Sequence, residues 1–277
     1  MEQETSKYPL SAHPNDGRPV YGQRATRDLV GYAGRPPTVK WPKSAKVALN
    51  LVLNYEEGAE KCLLHGDQES EKLLSEIVGA SAYANERHAN MESLYDYGSR
   101  AGFWRIHDLL RRKGATCTVF AVGMALERNP DAARAMVDAG WEIGERPVGI
   151  YQGKPNVNTR RLVVEEGGFL YDSDSYADDL PYWTNEFGDR PHLIVPYTLS
   201  ENDMRFAIPN GFSNGHEFFV KLKDSLDYLL EEGRRGSPKM MSVGLHCRLV
   251  GRPGRAKGLE EFLDYVQSLG DDVWVCR

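Results

Sequence analysis

The chain has 277 residues, 41% of them hydrophobic and 27% charged, with 34 Lys and Arg against 40 Asp and Glu for a net charge of −6. That length suits one large α/β domain or two small ones, and an acidic balance with no basic block argues against nucleic acid or an anionic membrane as partner. No apolar stretch reaches the ~18 residues of a membrane span, Met1 to Asp16 is polar rather than a leader, and Cys62, Cys117, Cys247 and Cys276 form no CxxC or zinc-ribbon spacing, so free thiols in a reducing cytoplasm are expected.

Residues 1–43, rich in Pro, Gly, Arg and Asp, read as an irregular N-terminal arm, with 44–277 as a single domain. Lys46 to Tyr55 has the β-branched, apolar content of a buried strand, and it runs into Asn54-Tyr55-Glu56-Glu57-Gly58. Side chains alternate along a strand, so Glu56 and Glu57 cannot both face water unless the chain turns there. In α/β folds catalytic groups gather at strand C-termini. On spacing alone, a solvated strand-to-loop junction and a catalytic pair stand level.

Residues 59–92 form a long polar excursion with one helical pattern, Ser70 to Val78, and loops of that length in compact domains usually serve function. Tyr97 to Lys113 is helical, with Phe103, Ile106, Leu109 and Leu110 on one face and a stop at Gly114. A second strand, Thr116 to Val122, follows. Pro130 then opens a helix through Ala139 that Gly140 ends, and Trp141-Glu142-Ile143 is a short third strand.

There the alternation fails. Pro147 to Tyr151 reads as the next strand, yet only Gly144, Glu145 and Arg146 separate it from Ile143. Parallel neighbours need a crossover of roughly a dozen residues or more. A hairpin or an irregular edge fits the length; we read the join as a missing αβ crossover. Beyond it come a helix (Asn158 to Glu166), strands (Gly168 to Asp172, His192 to Thr198), a patterned helix (Asn214 to Glu232), a strand (Met240 to His246), a helix (Gly258 to Leu269) and a last strand (Val273 to Cys276). With no GxGxxG after the first strand, the expected α/β fold is a distorted, incomplete (β/α) barrel of about seven strands.

Three further segments carry polar chemistry. His246 closes the apolar run Met241 to Leu245, where a histidine can reach the carboxylates at the same rim or simply be structural. Gly153-Lys154-Pro155-Asn156-Val157-Asn158-Thr159-Arg160-Arg161 opens a helix, with Asn158 or Thr159 as a possible N-cap. It suits a ligand oxygen as well as it suits a capped helix with solvated arginines. Tyr171-Asp172-Ser173-Asp174-Ser175-Tyr176-Ala177-Asp178-Asp179 lacks the glycine and glutamate of an EF-hand, so its aspartates, Asp174 among them, are better read as orienting a catalytic group or binding polar substrate. His65, His88 and His107 show no metal spacing, and GxSxG and HExxH are absent.

In this order, strand-Tyr-Glu-Glu-Gly, the Lys154 to Arg161 turn, the Tyr171 to Asp179 segment and Leu245-His246-Cys247-Arg248-Leu249-Val250-Gly251-Arg252-Pro253-Gly254-Arg255 resemble the NodB-type polysaccharide deacetylase superfamily, and most closely its allantoinase branch. The resemblance implies a (β/α) barrel, usually a homo-oligomer, that opens the hydantoin ring of a small ureide. Glu56 or Glu57 would deprotonate water, and His246 would protonate the leaving nitrogen or steady the oxyanion. Tyr55, Lys154, Asn158, Arg160 and Asp174 would bind substrate. The deacetylases carry an Asp pair where this chain has Glu56 and Glu57, and their histidine-pair segment for the metal would fall in the gap after Ile143. No metal or other cofactor is therefore expected. Glycan deacetylation and an inactive shortened form are the alternatives.

Overall fold

The computed structural model describes residues 30–143, 148–187 and 191–277. In chain order its strands are β1 (Val47–Tyr55), β2 (Thr118–Ala121), β3 (Gly149–Ile150), β4 (Tyr171–Asp172), β5 (Tyr182–Thr184), β6 (His192–Ile194), β7 (Lys239–His246) and β8 (Val273–Cys276). Its helices are α1 (Ala89–Tyr97), α2 (Phe103–Arg112), α3 (Gly123–Arg128), α4 (Pro130–Asp138), α5 (Thr159–Glu166), α6 (Gly215–Arg234) and α7 (Pro253–Ser268).

These residues fall into two compact units: Thr38–Pro147 with Thr198–Arg277, and Val148–Tyr197 with the segment before Thr38. In the larger unit β1 is central, which is why its run is apolar on both faces: Val47, Leu49, Leu51, Val52 and Leu53 are wholly buried. β7 pairs in parallel along one edge of β1, from Val47 opposite Lys239 to Asn54 opposite His246. The other edge is divided, with β2 beside Val52 to Tyr55 and β8 beside Val47 to Asn50. Helix faces bearing Phe103, Ile106, Leu110, Phe218, Leu222, Leu226 and Phe262 complete the core. At the start of α6 a reciprocal cap fixes the boundary: Glu217 N donates to Asn214 Oδ1 at 3.1 Å and Ser213 N to Glu217 Oε2 at 2.7 Å.

The smaller unit has its own sheet, in the order β3-β4-β6-β5, parallel except for the β5–β6 pair.

Several expectations change. Among the described residues the strands form two sheets and no closed ring, and β2 meets the expected third strand only through a bridge between Thr118 and Glu142. Of the expected arm, residues 1–29 lie outside the described residues, and 30–37 group with the smaller unit. Ser70 to Val78 is not a helix, because Leu74 sits at φ 49°, which a right-handed helix cannot contain. The helix expected from Tyr97 starts at Ala89, and the one expected from Gly258 starts at Pro253, a residue suited to a first helical position. α3 and β5 were not foreseen. Residues 144–147, at the proposed gap, lie outside the described residues.

Candidate active site

The parallel register of β1 and β7 sets Asn54 beside His246, so Glu56, Glu57 and His246 leave adjacent strands at the same C-terminal end. Glu57 turns inward. Its side chain is fully buried, one carboxylate oxygen accepts the Glu56 N–H at 3.0 Å, and it lies against Gly98. A Cβ at Gly98 would sit 2.5 Å from Glu57 Oε1, so any larger residue there would have to displace that carboxylate. Between α1 and α2 the helix widens into one π turn, Gly98–Gly102, whose other glycine abuts the Cys247 carbonyl. Glu56 keeps 31% of its side-chain surface exposed. The two carboxylates thus differ in kind: one is buried, one is open.

Both face Arg248. Its guanidinium is buried, donates from Nη2 to Glu56 Oε2 at 2.9 Å and from Nε to the Leu74 carbonyl at 3.1 Å, and lies 4.0 Å over the Tyr95 ring. Nη1 stops 3.6 Å from Glu57 Oε1. Burial raises the Glu57 carboxyl above its ordinary range; Arg248 pulls the other way, and Glu56 adds to the rise.

His246 Nδ1 is 2.6 Å from Asp203 Oδ1, while Asp203 Oδ2 accepts the backbone N–H groups of His246 at 2.7 Å and Val250 at 3.0 Å. Asp203 is wholly buried in a short 3₁₀ turn, Asp203–Ala207, capped by Asn202. A carboxylate fixed on Nδ1 sets the tautomer and leaves Nε2 as the working nitrogen. Burial opposes charge on the imidazole, but the charge and hydrogen bond of Asp203, with Glu56 nearby, outweigh it and raise its pKa. This suits a proton donor near neutral pH.

Each of the other expected site residues sits within its own unit. Tyr55 is not at the surface: its ring is fully buried, edge-on to Phe103 at 5.4 Å, and burial pushes its hydroxyl up to about 12. In the smaller unit, Arg160 is committed to Asp172, through Nε at 2.9 Å and Nη2 at 3.2 Å, and to the Asp174 carbonyl at 3.0 Å. The Asp174 carboxylate accepts the Gly153 and Gln152 N–H groups, bracing the turn; burial raises its pKa despite them. Asn158 occupies the N-cap position of α5 without a side-chain cap bond, and Lys154 is exposed. Arg160, Asp172, Asp174 and Glu186 line a cavity of about 180 Å³.

A divalent cation needs several converging anionic or imidazole donors. Among the described residues no three His, Cys, Asp or Glu side chains converge in that way, and the cation between the two glutamates is Arg248 itself. This donor set does not fit a metal.

Asp203 and Arg248 are the functional residues that the sequence reading did not single out. Arg248 lay within a quoted motif, and an arginine two places after a strand-end histidine in a buried run was the available signal; Asp203 gave none beyond the polar turn Asn202-Asp203.

Residues 85–147 match a family model described as polysaccharide deacetylase. A Schizosaccharomyces pombe protein assigned to the polysaccharide deacetylases is 38% identical over 301 positions, which take in 90% of this chain and 93% of that protein. The alignment is longer than this whole chain, so the relative carries residues with no counterpart here. The crystal structure of a Pseudomonas aeruginosa PAO1 protein assigned to the same family is 52% identical, with TM-score 0.88 over 91% of this chain and 94% of that one. That of Puue allantoinase is 49% identical, with TM-score 0.87 over the same shares.

Proposed function

The chain belongs to the polysaccharide deacetylase family, a family of hydrolases, and within it we propose that it opens the ring of a small cyclic ureide, with allantoin to allantoate as the reaction. The observation that carries this reading is the pairing of an open carboxylate, Glu56, with a histidine whose Nδ1 is held by a buried aspartate, at the ends of adjacent strands. The likeness to Puue allantoinase favours a cyclic amide as substrate.

In this scheme Glu56 takes a proton from water, and the resulting hydroxide attacks the ring carbonyl carbon. The ring C–N bond breaks as His246 Nε2–H gives its proton to the departing nitrogen, leaving a carboxylate and a free ureido group. Asp203 is a positioning residue. It fixes the imidazole and favours its charged form. Glu57 is buried away from the reacting atoms and anchors the turn.

The test is to incubate purified chain with allantoin and measure allantoate. We expect turnover, with losses of about 10²- to 10⁴-fold in Glu56→Gln and in His246→Asn. Deacetylation of a glycan is the second reading, favoured by the family to which the Schizosaccharomyces and Pseudomonas relatives are assigned. Acetate release from an N-acetylated glycan, with no allantoate formed, would replace the first reading by the second.

A further inference from the structure

Arg248 has no step in that scheme, yet it is the largest of the fully buried side chains among the described residues. Taking a guanidinium out of water costs several kcal/mol unless its partners compensate. Here compensation is partial. One carboxylate, one carbonyl and one aromatic face hold it, while Nη1 and the facing Glu57 Oε1 are both buried without a hydrogen-bond partner, 3.6 Å apart. A pair that served only to join two elements would close that gap into a bidentate bond. The geometry instead places one fixed positive charge between two carboxylates, with the Tyr95 ring beneath it and the Leu74 carbonyl fixing its plane.

The long excursion supplies that carbonyl. Leu74 adopts φ 49°, and the adjoining Glu76 is held by Arg255 and, at 3.6 Å, by Arg252. Residues just after β7 therefore tie the loop to the carboxylate pair.

We infer that Arg248 is the resident cation of this centre: a positioning residue that holds the Glu56 carboxylate and supplies the counter-charge in the place a divalent metal takes in a metal-dependent hydrolase. A guanidinium cannot coordinate water and acidify it as a metal does. Water activation then falls to a carboxylate with an open side, which Glu56 has and Glu57 lacks. The catalytic consequence rests on the hydrolase reading; the cation site itself does not.

The experiment compares the full-length chain with Arg248→Ala, using methylguanidinium and, separately, Zn²⁺ as added probes in calorimetry and thermal melting. Arg248→Ala should bind methylguanidinium saturably and melt higher in its presence, while the parent chain does neither. Where turnover is measurable, Arg248→Ala should lose about 100-fold in kcat with a smaller change in KM, and methylguanidinium should restore part of it. A folded Arg248→Ala chain that takes up no methylguanidinium overturns the inference, whether or not any substrate is hydrolysed. So does one Zn²⁺ bound per parent chain and lost in Glu56→Gln. If Arg248→Ala does not fold, Arg248→Met combined with Glu57→Gln removes the buried charge with its counter-ion. That chain should fold, and kcat equal to the parent's would refute the role.

Discussion

At His246 burial opposes the imidazolium, but the charge and hydrogen bond of Asp203 together with the charge of Glu56 outweigh it, and the sign of that balance fixes two pH dependences. A raised folded-state pKa adds stability that is fully present below the unfolded histidine value of about 6.5 and disappears as pH rises through the folded one. Asp203→Asn should therefore flatten the pH dependence of stability between those two values, as denaturant titrations across the range would read. If His246 is the acid, the same substitution should move the alkaline limb of kcat to lower pH. Glu57 is also shifted upward, and by the same rule its protonated form is favoured on folding. Arg248→Met should then cost about 3 kcal/mol where Glu57 is left charged and unpaired, and less as pH falls and it takes a proton. The glutamates and His246 could be found in sequence because they end apolar runs. Their partners could not: Asp203 lies 43 positions from His246 and Arg248 lies 192 from Glu56, and no local pattern encodes such contacts.

Among the elements, the helix that crosses the site matters most. α1, the π turn and α2 form one continuous helical stretch, and two glycines in the turn lie against Glu57 and Cys247. Gly98→Ala should displace the Glu57 carboxylate and reduce turnover by a larger factor than its loss of stability would explain; kinetics and melts on the same variant compare the two. Gly102→Ala meets backbone at 2.0 Å, which side-chain movement cannot relieve, and should destabilise by about 1–3 kcal/mol or more. Helices with strong apolar spacing were legible, α2, α4 and α6 above all. The Ser70 to Val78 segment was not, because its spacing imitates a helix while Leu74 adopts a left-handed conformation. β5 was equally hidden, since a three-residue strand carries too little alternation to be seen.

For the whole molecule, the break in alternation at Ile143 and the surplus length of the Schizosaccharomyces alignment point the same way. Parallel pairing imposes a crossover length that can be checked against the sequence, whereas ring closure depends on which edges meet. Among the described residues β2 has a single bridge on its outer side, and Val122, Met124 and Val137 nearby are exposed. Inserting a strand-helix unit after Ile143 should raise the melting temperature in scanning calorimetry; a lowered one would place the break elsewhere. No described helix is long and apolar enough to cross a membrane. The central claim, carbon–nitrogen hydrolysis carried by Glu56 and a His246 held by Asp203, is tested most directly by following allantoate formation from allantoin across pH for the parent chain, Glu56→Gln and His246→Asn. The account predicts turnover in the parent, with an alkaline limb above the ordinary histidine range, and collapse in both variants. A folded parent without turnover, or variants that match it, would contradict the account.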